Sequence, residues 1–94
     1  MKLFYREWGR GEPLLILHGL YGCSDNWMTI ARKLAERFQV IAVDLRNHGN
    51  SPHADSHTYT DMSLDLEELF LLLQINSAHI IGHSMGGKVA MAFA

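Results

Sequence analysis

Short, wholly apolar runs alternate along this chain with longer stretches whose apolar residues recur every three or four positions. Leu14-Leu15-Ile16-Leu17 and Val40-Ile41-Ala42-Val43 are apolar at every position, as expected of strands buried on both faces. Leu3 to Trp8 predicts an earlier strand, closed by the turn residues Gly9, Gly11 and Pro13, and Ala78 to Gly82 predicts another buried strand. Between them, Trp27, Ile30, Ala31, Leu34 and Phe38 recur at helical spacing and predict a helix from Ser24 to Phe38, with Ser24 or Asp25 as its cap. A second helix is expected from Tyr59 to Gln74, burying Met62, Leu66, Leu69, Phe70 and Leu73, with Asn76 in the turn that follows. Lys88 to Ala94 reads as the start of a third helix, and the polar stretch from Arg46 to His57, with Gly49 and Pro52, as a loop.

This order predicts an α/β architecture, a mostly parallel sheet flanked by helices. Functional groups in such sheets gather beyond the carboxyl ends of the strands. His18-Gly19, Asp44-Leu45-Arg46 and Ser84 all fall there.

Composition narrows the function more than the fold. The 94 residues suffice for one small domain. A net charge of -2, with eight Lys and Arg scattered along the chain, leaves no electrostatic footprint for nucleic acid or an anionic membrane. Charges at Lys2, Arg6 and Glu7 interrupt the N-terminus before a signal-peptide core forms, and the longest apolar run, Leu69 to Leu73, is far short of a membrane span. The single cysteine, Cys23, cannot form an internal disulfide and reads as a semi-buried thiol. A cytoplasmic location is the expectation.

The chemistry concentrates in Gly82-His83-Ser84-Met85-Gly86. A serine hydroxyl is a poor nucleophile until it is exposed, aimed and paired with a base. A sharp strand-to-helix turn exposes and aims it, and crowding in the turn demands small residues two before and two after the serine. Gly82 and Gly86 meet that demand. At ordinary glycine and serine frequencies the five-residue pattern would arise by chance in about 3% of chains of this length, and a buried strand before it with a helix after it lowers the odds further. No Gly-Lys-Ser/Thr occurs, which excludes a Walker-type phosphate loop. Ser84 is the candidate nucleophile. Backbone N–H groups stabilise the oxyanion that acyl transfer builds: one from the residue after the nucleophile, here Met85, and one from the loop after an earlier strand. In His18-Gly19-Leu20-Tyr21-Gly22 the expected donor is Leu20, with Tyr21 as the alternative.

His18-Gly19-Leu20-Tyr21-Gly22, Asp44-Leu45-Arg46-Asn47-His48-Gly49-Asn50-Ser51-Pro52 and Gly82-His83-Ser84-Met85-Gly86-Gly87 stand in the order and spacing of the α/β-hydrolase superfamily, which the chain resembles. The second stretch looks like the small acyl-ester hydrolases of its esterase branch. The resemblance covers the whole chain and the front half of the family's fold. It implies a serine hydrolase of carboxylic esters or thioesters, with no cofactor and no metal. It also implies that Asp44, Arg46, Gly49 and Ser51 form a structural loop. His18 and His48 are expected to orient loops, and His83 to point away from Ser84. His53 and His57, four apart in a polar loop, read as surface residues rather than zinc ligands.

A serine hydrolase needs a histidine base and an acid to orient it, and on this fold both follow the serine. Neither a histidine nor an acidic residue occurs in Met85 to Ala94, and Lys88 to Ala94 carries no helix-ending signal. The expectation is therefore one partial domain over 1–94, truncated after the nucleophile turn and inactive alone, with a small-molecule ester as the partner of the parent enzyme. The strand ending at Gly82 would then be an open edge, available for self-association. The rival readings are a non-enzymatic ligand- or protein-binding module, and a cofactor-free lyase or peroxidase-like member of the same fold.

Overall fold

The computed structural model describes residues 1–19 and 22–93, without the side chains of Asp25 and Asn26. Four strands, β1 (Tyr5–Trp8), β2 (Glu12–Leu17), β3 (Phe38–Val43) and β4 (His79–Gly82), form a sheet in the order β1-β3-β2-β4. β2 runs parallel to both neighbours, pairing Leu14 with Val40 and with His79, and only β1 is antiparallel, pairing Tyr5 with Val43. The helices are α1 (Met28–Leu34), entered through a 3-10 turn at Ser24–Trp27, α2 (Tyr59–Leu73) and α3 (Met85–Phe93).

Strand alternation sends successive side chains to opposite faces of the sheet. Leu14, Ile16, Val40 and Ala42 pack with Ala31 of α1, while Leu15, Leu17, Ile41 and Val43 pack with Met62, Leu66 and Leu69 of α2 and Val89 of α3. The doubly apolar runs in β2 and β3 thus serve two cores. Burying each of the Leu, Ile, Val and Met side chains among them contributes about 1.5–3 kcal/mol before chain entropy is counted. On the second face α2 and α3 also touch through Phe70 and Phe93, whose rings meet edge to face at 4.9 Å.

The chain leaves β2, crosses through α1 to β3, and returns through α2 past β2 to β4. Right-handed crossovers taken in opposite directions put their helices on opposite faces. The reversal also opens a crevice beyond the carboxyl ends of β2 and β4. His18-Gly19 and His83-Ser84 meet there.

Several expected boundaries move. The helix expected from Ser24 to Phe38 is a 3-10 turn followed by the seven-residue α1. Phe38 instead opens β3, because its backbone is drawn into the parallel ladder opposite Glu12. Ser24 does not cap α1: its N–H donates to Asp44 Oδ1 at 2.6 Å, and the α1 N-cap is Trp27 with no side-chain bond. The Asp25 side chain lies outside the described residues. β1 starts at Tyr5 rather than Leu3, and α3 starts at Met85 rather than Lys88. α2 is capped by Thr58, whose Oγ1 accepts from the Asp61 N–H at 3.0 Å, and ends at left-handed Gln74, with Asn76 in the bend that follows, as expected. β4 spans His79–Gly82 and is not buried on both faces: His79, Ile81 and Gly82 are exposed, because among the described residues no element lies beyond it.

Candidate functional site

The turn from β4 into α3 occupies two residues, His83 and Ser84. His83 extends the ladder by one bond, donating its N–H to Leu17 O at 3.0 Å, and the Gly86 N–H then closes the turn onto His83 O at 2.9 Å. This abrupt reversal forces Ser84 to φ 54°, a left-handed conformation that a residue with a Cβ rarely adopts. The glycines on either side are required by close approach. A Cβ on Gly82 would lie 2.6 Å from Gly86 O and 2.7 Å from the Gly87 Cα, and one on Gly86 would lie 2.6 Å from His18 O. The turn therefore seats the start of α3 directly on the end of β2, with Ser84 exposed at its crest.

Met85 is the first residue of α3, so its N–H belongs to the amides that have no intrahelical acceptor. It stands beside Ser84, as an oxyanion donor must. The other expected donor, Leu20, and its alternative Tyr21 lie outside the described residues. The loop that leads to them does reach the site: a methyl placed on Gly19 would be 3.5 Å from the Ser84 Cβ and 3.0 Å from His83 Nδ1. The His83 ring packs against Trp27, with centroids 5.8 Å apart.

The remaining strand-end residues hold the loops. His18 is fully buried; its Nε2 accepts the Leu45 N–H at 2.9 Å, so Nδ1 carries the proton and donates to Gly19 O at 2.7 Å. Both ring nitrogens are occupied, and burial, aided by neighbouring His48, holds the pKa below its ordinary 6.5 against the opposing pull of the Gly19 bond. Buried Asp44 accepts from the N–H groups of Ser24 at 2.6 Å and Asn50 at 3.0 Å. Ser51 Oγ donates to Asp44 O and accepts the Phe4 N–H. Arg46 forms a two-bond fork to Asp65, Nε to Oδ2 at 2.7 Å and Nη2 to Oδ1 at 2.9 Å, and donates to Ser56 O at 3.0 Å. The Asp65 carboxylate raises the Arg46 pKa above its usual value. These side chains pin the loop from Asp44 to His57 against α2.

That loop and α2 form the far wall of a cleft of about 570 Å³, lined by His57, Thr58, Tyr59, Met62, Ser84, Met85 and Lys88. Ser84 and Met85 were legible in the sequence, whereas the other five lining residues were not assigned to the site. Lys88 had a signal, since it lies one helical turn beyond Ser84. His57 had none, because only the folding of the loop brings it to the cleft; there it accepts from Asn47 Nδ2 at 3.3 Å and packs edge-on to His48. Among the described residues no group of three or more His, Cys, Asp or Glu side chains is arranged to hold a metal ion, and no helix is long and apolar enough to cross a membrane.

A family model described as alpha/beta hydrolase fold matches residues 12–94. The chain is 50% identical over 86 residues to a Xenopus laevis protein named sn-1-specific diacylglycerol lipase ABHD11, an alignment covering 89% of this chain and 28% of that protein. It is 45% identical over 81 residues to Esterase YbfF of Escherichia coli (strain K12), covering 86% of this chain and 32% of the relative. Among solved structures, one titled marine microorganism esterase superposes with a TM-score of 0.96 at 56% identity, covering 98% of this chain and 36% of the other. The chain thus spans about a third of the length of the relatives it matches.

Proposed function

Because the chain belongs to the α/β-hydrolase fold family, we propose that it is the nucleophile-bearing part of a serine esterase, acting on carboxylic esters or thioesters through Ser84. The observation that carries this reading is the left-handed Ser84, raised between close-packed glycines at the mouth of a cleft. Its relatives named as esterases and lipases support the same class of reaction.

In this mechanism Ser84 Oγ attacks the acyl carbonyl carbon while a histidine base takes its proton. The Met85 N–H, with a second amide from the loop at Leu20, holds the developing oxyanion. The bond from the acyl carbon to the alcohol oxygen or thiol sulfur breaks, and the leaving group departs with the proton. Water then hydrolyses the acyl-serine by the reverse relay and releases the acid. His18 is not that base, because both its nitrogens are committed to backbone groups. The residues after Ser84 supply neither the base nor its orienting acid. Losing the base of such a triad costs on the order of 10⁶ in kcat, so the 94-residue chain by itself is essentially inactive.

A fluorophosphonate probe tests the assignment on the full-length protein encoded with this segment and on residues 1–94 alone. The full-length protein is labelled and Ser84→Ala abolishes the labelling, while the short chain reacts orders of magnitude more slowly. An unlabelled full-length protein overturns the nucleophile assignment.

A further inference from the structure

Among the described residues, the lining of the cleft beside Ser84 is electrostatically one-sided. His57, Thr58, Tyr59, Ser84 and Lys88 supply its polar groups, Met62 and Met85 its apolar ones, and none of these seven carries a carboxylate. Lys88 is exposed, and among the described ion pairs none joins it to an acid. The two aspartates near the start of α2 are engaged elsewhere: Asp61 by Ser56 and Arg46, Asp65 by Arg46 and the Met1 amine. Lys88 thus lines the cleft with no carboxylate among the described residues of the wall opposite.

Its place on α3 is also unfavourable for the helix. Lys88 is the fourth residue of α3, in the first turn, where the backbone dipole disfavours a cation and where this helix has no acidic residue to offset it. Helix stability does not account for a lysine there. Its backbone N–H bonds to Ser84 O at 3.2 Å, which sets Lys88 one turn beyond Ser84, and both residues line the cleft.

We propose that Lys88 is a specificity-determining residue that selects esters carrying a carboxylate or phosphate close to the scissile bond. The inference rests on the reading of Ser84 as an esterase nucleophile. A substrate anion fills the place of the missing counter-ion, and a neutral substrate leaves it empty. Chemical steps are unchanged; the ammonium adds attraction to substrate and transition state.

The test compares p-nitrophenyl butyrate, which is neutral, with two anionic esters on the full-length protein encoded with this segment. Mono-p-nitrophenyl succinate carries its charge on the acyl side, and 3-carboxy-4-nitrophenyl butyrate carries it on the leaving group. The readout is the ratio of kcat/KM for each charged ester to that for the neutral one. One charged ester is preferred by about fivefold or more at low salt, as expected for a partly solvated ion pair, and which one it is assigns Lys88 to the acyl or alcohol side. Lys88→Met removes that preference, Lys88→Glu inverts it and Lys88→Arg retains it. In the unmodified protein the preference shrinks as salt rises from about 20 mM to about 500 mM, a readout that needs no variant to fold. Turnover of the neutral ester with no salt-sensitive preference for either charged ester overturns the role of Lys88 and leaves the esterase reading standing. Failure of all three esters to turn over overturns both.

Discussion

Asp65 and Arg46 are the pair on which the loop beside the cleft depends. The carboxylate is buried, accepts both arms of the guanidinium fork and lies 3.5 Å from the Met1 amine. Removing one partner of a buried pair leaves an uncompensated charge, so Asp65→Ala or Arg46→Met lowers stability by about 3 kcal/mol, measured by urea unfolding of the full-length protein. Arg46→Lys recovers only part of it, because an ammonium cannot reproduce the fork. His18 makes a different prediction. Burial lowers its folded pKa, so near and below the ordinary 6.5 the unfolded chain binds the proton more readily. The contribution of neutral His18 to stability is complete above that pH and is lost as pH falls toward the folded pKa. Unfolding midpoints measured from pH 7.5 down to about pH 5 therefore decline more steeply in the native protein than in His18→Gln. Equal slopes would remove His18 from the account.

The element on which the proposed function rests is the turn between β4 and α3. Its geometry depends on the absence of side-chain atoms at Gly82 and Gly86, where a Cβ would meet backbone carbonyls that cannot move without separating α3 from β2. Gly86→Val is expected to cost about 3 kcal/mol or more through overpacking and to abolish fluorophosphonate labelling. Ser84→Gly should do the opposite to stability, raising it by about 1 kcal/mol because φ 54° suits glycine, while also abolishing labelling. A strained turn that carries the proposed nucleophile thus predicts stability and activity moving in opposite directions at one residue. Thermal unfolding alongside probe labelling separates the two effects.

At the scale of the described residues taken together, the sheet is covered on both faces at its centre and carries no further element beyond β4. β4 forms one edge of the four described strands, and Ile81 on it is exposed. An unpaired, apolar edge is a template for pairing with another chain. We propose that residues 1–94, expressed alone, associate through β4. Sedimentation velocity then shows oligomers that grow with concentration, and Ile81→Lys shifts the population toward monomer. A sample that stays monomeric at high concentration and unfolds cooperatively would sink this idea.

Local pattern determined the apolar strands β2 and β3, the approximate span of α2, and the sharp turn at Ser84, because each depends on contacts or sterics within a few residues. Two glycines flanking a serine after an apolar strand are legible for that reason. Boundaries that depended on pairing were not: Phe38 belongs to β3 through its register with Glu12, and a helical period alone places it at the end of α1. The same holds for Asp65, which reads as one polar position on an amphipathic helix until folding brings Arg46 onto it from 19 residues away. Of the cleft lining, Ser84 and Met85 are the residues that the sequence nominates, but the opposite wall is set by tertiary structure. His57, Thr58 and Tyr59 reach the cleft only because the Asp44 and Arg46 anchors fold the intervening loop back over the sheet end. Chemistry confined to one turn is written in the order of residues. A cleft needs two elements at a particular distance, and that distance exists only once the sheet, its crossovers and the buried ion pair have formed.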